Sequence, residues 1–132
     1  MAKTVVAVDD EVQVRELVST ILEENGYIAL LAENGEEAMD IVRQNRPDLI
    51  IMDILMPRQS GIKMYRELKS DETLNDIPVI IYSGIPKRTF LRTQAAREES
   101  GGQESVPAPE EYIEKPGKPE HLERIIKKLL NE

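Results

Sequence analysis

The sequence contains no cysteine and no tryptophan, and it has only one histidine and one phenylalanine. The absence of cysteine excludes disulfides, zinc fingers and thiol catalysis. No apolar run approaches the roughly 18 residues that a membrane-spanning helix requires. Residues 1–10 offer only a short apolar run before two aspartates, which is unlike a secretory signal peptide. We therefore expect a cytoplasmic protein that makes no membrane contact.

Basic charge is also scarce. Seventeen Lys and Arg residues stand against 25 Asp and Glu residues, which gives a formal net charge of −8. This balance argues against binding a nucleic-acid backbone through bulk charge, so no direct nucleic-acid partner is expected. The length of 132 residues, with 40% apolar and 32% charged residues, fits a globular chain that needs no disulfide or metal to fold. We predict a single domain over residues 1–132.

Short apolar, β-branched runs alternate along the chain with segments of helical periodicity. These patterns predict strands over residues 5–8, 28–32, 49–52, 79–82 and 112–114. They predict helices over residues 11–24, 35–44 and 61–69, within 86–100, and from about 120 onward. Asn25 and Gly26 are expected to end the first helix, and Asn34 and Ser60 to cap the second and third.

Strands that are apolar on both faces indicate a parallel sheet covered by helices on both sides. The predicted fold class is therefore α/β, with a doubly wound, five-stranded parallel sheet. In such sheets the functional site lies at the carboxyl ends of the strands.

Polar side chains follow four of the predicted strands at that end. Asp9 and Asp10 follow the first strand, Asp53 the third, Ser83 the fourth and Lys115 the fifth. Packed carboxylates repel one another, and a divalent cation relieves that repulsion. All-oxygen ligands favour Mg²⁺, Mn²⁺ or Ca²⁺ over a thiophilic metal. A cation beside an aspartate nucleophile, a hydroxyl and a lysine is also what phosphoryl transfer requires.

Several motifs at the strand ends carry a resemblance to a known family. The chain reads V-A-V-D-D-E at 6–11, L-I-I-M-D-I-L-M-P at 49–57, I-Y-S-G at 81–84 and E-K-P at 114–116, with Gly61 between the second and third motifs. In this order they resemble the receiver domain of bacterial two-component response regulators, within the chemotaxis-regulator-like superfamily. The resemblance covers essentially the whole chain. It implies the flavodoxin-like strand order 2-1-3-4-5.

The resemblance also implies a phosphoacceptor and a metal site. Asp53 corresponds to the aspartate that accepts a phosphoryl group. Asp10 corresponds to a direct Mg²⁺ ligand, and Asp9 to one that acts partly through water. The backbone carbonyl of Leu55 is expected to supply a third protein ligand. The implied cofactor is Mg²⁺, with Mn²⁺ as a substitute.

Further residues correspond to the parts of the family that bind and sense the phosphoryl group. Ser83 matches the switch Ser/Thr that hydrogen-bonds it, and Lys115 matches the lysine that pairs with it. The Lys115–Pro116 peptide bond matches one that is cis in the family. Tyr112 matches the aromatic switch residue that turns inward when the Ser/Thr moves. Leu55 and Ile85 match positions that flank the phosphoryl group, and their apolar side chains predict slow autodephosphorylation.

One region departs from the family pattern. The interval from Ser83 to Lys115 is longer than usual, and residues 107–111 (P-A-P-E-E) replace the small-residue turn that normally precedes the fifth strand. Residues 86–111 are therefore expected to form an atypical fourth helix and loop. Because the family's usual output face lies here, the departure affects the expected partner more than the chemistry.

The implied function is a phosphorylation-dependent switch. The donor would be a partner histidine kinase or histidine phosphotransfer protein, because the chain's single histidine, His121, has no kinase segment around it. Output would pass to a downstream protein partner or to an effector domain outside this sequence. The domain would then be no enzyme beyond its own phosphorylation and dephosphorylation.

Other interpretations stay open. Asp9 and Asp10 taken alone fit a helix cap, and Ser83 fits an ordinary turn. An aspartyl-phosphate phosphohydrolase would want an acid at position 55, where the chain has leucine. A nucleotide or flavin binder would want a Gly- or Thr-rich loop after the first strand, where the chain has acids. A degenerate receiver that binds partners without phosphorylation is the main alternative.

Overall fold

The computed structural model describes residues 2–99 and 106–131. Within them the chain alternates strands and helices. The strands are β1 (Thr4–Val8), β2 (Ile28–Ala32), β3 (Leu49–Met52), β4 (Val79–Ser83) and β5 (Glu111–Glu114). The helices are α1 (Val12–Glu24), α2 (Gly35–Asn45), α3 (Ser60–Ser70), α4 (Lys87–Glu99) and α5 (Pro119–Leu129), and a 3₁₀ turn at Pro57–Gln59 precedes α3. The central part of the predicted loop, residues 100–105, lies outside the described residues.

All neighbouring strands are parallel, in the order β2-β1-β3-β4-β5. This confirms the predicted fold class and strand order. Val8 lies opposite Ala32 on one side and Met52 on the other, and Met52 lies opposite Ile81. The residues that follow these strands therefore emerge side by side at one edge of the sheet. None of the helices in the described ranges is long and apolar enough to cross a membrane.

The sheet separates two apolar clusters, because successive side chains of a strand point to opposite faces. Val6 and Val8 of β1 belong to the cluster that α2, α3 and α4 cover. Val5 and Ala7 belong to the cluster that α1 and α5 cover, which includes the fully buried Leu22 and Leu122. The near-continuous apolar strands are thus explained by burial on both faces.

The helix ends agree with the sequence-based predictions at two of the three predicted positions. Gly26 has a φ of +79° just after α1, which glycine adopts without steric cost. Asn34 caps α2, and its Oδ1 accepts a hydrogen bond of 2.9 Å from the Glu37 amide. The predicted cap at Ser60 is wrong. Ser60 is itself the first residue of α3, with helical dihedral angles (φ −63°, ψ −30°), and the chain kinks before it at Arg58, whose φ is +59°.

The segment that leads into β5 is fastened to α3. The hydroxyl of Tyr65 donates a hydrogen bond to the Pro107 carbonyl. The ammonium of Lys69, whose side chain is 2% exposed, lies 2.9 Å from Glu110 Oε1. The same oxygen accepts a hydrogen bond of 2.8 Å from the Val79 amide, at the start of β4. Residues 106–110, which the sequence marks as atypical, are therefore anchored by specific contacts.

We predict that Glu110→Ala lowers the free energy of unfolding by about 2 kcal/mol, because it leaves a buried ammonium and a strand amide without their acceptor. Glu111→Ala is the matched control, since the partner of Glu111 is the exposed Lys128, and it should cost less than about 1 kcal/mol. Urea denaturation of both variants measures the difference. Equal losses would contradict a structural role for the buried pair.

Candidate functional site

Four carboxylates converge where β1 and β3 end. Asp9, Asp10, Glu11 and Asp53 each place one oxygen within 4.8 Å of the others. Because β1 and β3 are paired in parallel register, Asp9 and Asp53 lie at the same level of the sheet. Both are buried, whereas Asp10 and Glu11 are exposed. The three aspartates predicted from the sequence are thus brought together.

Glu11 is a member of this cluster that the sequence analysis missed. The signal was present, because Glu11 is the third acid in an unbroken run after β1. Its backbone amide donates a hydrogen bond of 2.9 Å to Asp9 Oδ1, which turns the chain sharply before α1. The exposed side chain lies on the open side of the cluster, with Oε1 3.8 Å from Lys115 Nζ.

Lys115 joins the two buried aspartates. Its Nζ lies 2.7 Å from Asp9 Oδ2 and 2.9 Å from Asp53 Oδ2. Its backbone amide donates to the Ser83 carbonyl at 2.8 Å, and the following bond to Pro116 is cis, as the resemblance implies. The end of β5 is therefore held against the end of β4, with the lysine directed at the acidic cluster.

Burial and hydrogen bonding shift the pKa values of Asp9 and Lys115. Burial raises the pKa of the Asp9 carboxyl, and the hydrogen bond from Lys115 only partly offsets the rise. Burial acts on Lys115 in the opposite direction, but its hydrogen bonds to Asp9 and Asp53 outweigh burial and raise its pKa. Lys115 therefore stays charged at neutral pH. Asp9 takes up a proton at a higher pH than an exposed aspartate does.

The Asp53 carboxylate is fixed at both oxygens. Oδ1 accepts a hydrogen bond of 2.7 Å from the Leu55 amide, and Oδ2 accepts the one from Lys115. The loop after β3 is packed tightly on the start of α3. A Cβ at Gly61 would lie 2.5 Å from the Asp53 carbonyl oxygen and 2.7 Å from Ile54 Cα. Position 61 requires glycine for this close approach.

The predicted switch residues form a separate group at the end of β4. Ser83 is fully buried, and its hydroxyl accepts a hydrogen bond of 3.3 Å from the Ile85 amide. The Tyr112 hydroxyl donates to the Ile85 carbonyl at 2.5 Å, and burial raises the pKa of Tyr112 to about 12. The described hydrogen bonds thus join both residues to Ile85 rather than to Asp53.

An aromatic row continues from Tyr112 into the core. Its ring centroid lies 5.7 Å from that of Phe90 of α4, which lies 5.6 Å from Tyr65 of α3 in an edge-on arrangement. Tyr65 is the residue that binds the Pro107 carbonyl. The group around Ser83 is therefore in continuous packing contact with the segment before β5.

The donor set of the cluster fits a hard divalent cation. Its ligand atoms are carboxylate oxygens, and no thiol or imidazole takes part. Such oxygens suit Mg²⁺, which typically binds one or two carboxylates and keeps several waters. Two of the four acids are exposed, which leaves the site open to solvent.

Residues 5–127 match the family model of the response regulator receiver domain. The chain belongs to this receiver family. This receiver domain is 35% identical over 130 residues to the phosphate regulon transcriptional regulatory protein PhoB of Pseudomonas aeruginosa, a match that covers 98% of the chain and 52% of PhoB. The receiver domain thus spans about half the length of that relative.

Two further comparisons cover nearly whole proteins. The polar-differentiation response regulator DivK of Brucella anthropi is 36% identical over 116 residues, which is 88% of the receiver domain and 86% of DivK. The crystal structure of the response regulator TrrA of Thermotoga maritima, in complex with Mg(2+)-BeF, is 31% identical. It aligns with a TM-score of 0.75 over 96% of this chain and 98% of TrrA.

We predict that Gly61→Ala lowers the Tm by about 5 °C or more, because overpacking against the Asp53 loop outweighs the better helix propensity of alanine. Gly84→Ala is the matched control, since a Cβ there meets nothing within 4 Å. Calorimetry of both variants tests the packing constraint. A Tm for Gly61→Ala at or above that of the wild type would refute it.

Proposed function

We propose that this receiver domain is a phosphorylation-dependent signalling switch whose phosphoacceptor is Asp53. The observation that carries the proposal is the buried Asp53 carboxylate, held between Lys115 and the Leu55 amide beside three further acids. Such a group is a fixed oxygen nucleophile at the edge of an open site. The proposed donor is the phosphohistidine of a partner histidine kinase or phosphotransfer protein.

In the proposed reaction a carboxylate oxygen of Asp53 attacks phosphorus. An O–P bond forms, the P–N bond to the donor imidazole breaks, and its electron pair returns to that nitrogen. The Leu55 amide and Lys115 hold the carboxylate in one orientation before attack, which reduces the entropic cost of the step. The product is an aspartyl phosphate on Asp53.

The proposed metal ligands are Asp10, Asp53 and the Leu55 carbonyl, with Asp9 acting partly through water. When bound, Mg²⁺ supplies positive charge that neutralises the phosphoryl oxygens. The indirect role of Asp9 is taken from the family resemblance, and its two carboxylate oxygens bind Lys115 and the Glu11 amide. TrrA, whose structure holds Mg(2+)-BeF, supports the assignment by similarity.

The proposed response starts at Lys115 and Ser83. Lys115 exchanges an aspartate oxygen for a phosphoryl oxygen, and the Ser83 hydroxyl donates a hydrogen bond to another. Movement of Ser83 disturbs Ile85, which both Ser83 and Tyr112 bind. Tyr112 then turns inward and the surface of α4, β5 and α5 changes, which alters contact with a downstream partner or effector domain.

Intact-mass analysis after incubation with acetyl phosphate tests the proposal. We expect one Mg²⁺-dependent phosphoryl adduct on the wild type and none on Asp53→Asn. Asp76→Asn is the matched control, since Asp76 pairs with the exposed Arg46 near the opposite edge of the sheet, and it should form the adduct. A folded wild type with no adduct would instead favour a phosphorylation-independent binding module.

Slow loss of the phosphoryl group is a further expected property. Leu55 is 60% exposed and apolar, so it cannot orient a water for attack. We predict that Leu55→Gln accelerates hydrolysis about tenfold by supplying a polar group for that water. Leu91→Gln, at another exposed leucine, should leave the rate unchanged. The mass of the adduct followed over time gives both rates, and loss from the wild type within seconds would count against this view.

A further inference from the structure

We propose that Arg15 is a positioning residue for the metal site, acting through the backbone of Asp9. Arg15 lies in the first part of α1, and its Nη1 donates a hydrogen bond of 2.7 Å to the Asp9 carbonyl oxygen. That carbonyl belongs to the peptide unit that joins Asp9 to Asp10. The inference rests on the proposed function, because the site that Arg15 orders is the proposed Mg²⁺ site.

The acidic turn after β1 lacks two of the interactions that commonly stabilise the start of a helix. Glu11 precedes α1 as its cap residue, but its side chain makes no capping hydrogen bond. The first turn of α1 also carries no acidic residue. The turn is instead held by the Glu11 amide on Asp9 Oδ1 and by the Arg15 guanidinium on the Asp9 carbonyl. Arg15 thus ties α1 to the loop that presents the acids.

Asp9 is consequently fixed at all of its polar atoms. Its amide donates to the Ala32 carbonyl at 3.1 Å, its carboxylate binds Lys115 and the Glu11 amide, and Arg15 holds its carbonyl. The exposed Asp10 side chain, by contrast, makes no hydrogen bond or ion pair within the described residues, so its position depends on the backbone. Fixing the shared peptide unit therefore aims the Asp10 carboxylate at the cluster before a cation arrives.

The charge of Arg15 and its ordering of the ligands have opposite effects on Mg²⁺ affinity. Arg15 is a cation beside a cluster that binds a cation, so its field disfavours Mg²⁺. If Arg15 acted only through charge, its removal would tighten Mg²⁺ binding. If it orders the ligands, its removal weakens binding, since residues that orient metal ligands typically contribute 10- to 100-fold to affinity.

Calorimetric titration of the full chain with Mg²⁺ separates these cases. We expect Arg15→Gln to weaken Mg²⁺ binding about tenfold, and Arg15→Lys to recover part of the loss because an ammonium can still donate to the Asp9 carbonyl. Arg88→Gln removes the same charge at an exposed position of α4 and should bind Mg²⁺ as the wild type does. Thermal unfolding without Mg²⁺ shows that each variant is folded.

The phosphorylation rate adds a second readout. Acetyl phosphate should label Arg15→Gln at the wild-type rate once Mg²⁺ is saturating, and more slowly below saturation. Unchanged or tighter Mg²⁺ binding by Arg15→Gln overturns the inference, as does a wild type that binds no Mg²⁺. A wild type that binds Mg²⁺ but accepts no phosphoryl group refutes the proposed function alone, because the effect of Arg15 on binding is still measured.

Discussion

The structure depends on burying two like charges next to each other. Parallel pairing of β1 with β3 places Asp9 and Asp53 at one level, inside the edge of an otherwise apolar sheet. Two unpaired carboxylates there would carry a large desolvation cost in addition to their repulsion. Lys115 partly offsets both by binding one oxygen of each, and it can do so because β5 ends beside β4.

The crowding of carboxylates also explains why the site favours the binding of a cation. The cluster contains four carboxylates, and the one ammonium among its described contacts belongs to Lys115. In the proposed reaction an incoming phosphoryl group would add further negative charge, so its approach would be unfavourable until a divalent ion balances the acids. The lysine and the ion therefore have distinct tasks. Lys115 stabilises the buried pair of aspartates in the fold, and in the proposed reaction the ion would balance the charge of the phosphorylated product.

The sequence predicts the fold, and it predicts that Asp9, Asp10 and Asp53 lie close together. Both follow from one recurring pattern, in which a short apolar run marks each strand and polar residues follow where the run stops. The sequence-based prediction fails at Ser60, which is the first residue of α3 rather than its cap, because the kink that precedes the helix lies at Arg58. It also misses the contacts of Arg15 and Glu110. Each of these joins two elements through one side chain, and neither residue is distinguishable by pattern from an ordinary surface charge.

The long connection into β5 belongs to the same packed unit as the site, although its sequence is unusual. The aromatic row Tyr112, Phe90 and Tyr65 runs from the Ile85 carbonyl to the Pro107 carbonyl, and Glu110 completes the attachment on Lys69. Close-packed interiors transmit displacement rather than absorb it. A displacement of Ser83 is therefore expected to reach the connection into β5, although the sequence of that connection departs from the family pattern. The aromatic row connects a second segment, besides the surface of α4, to the group formed by Ser83, Ile85 and Tyr112.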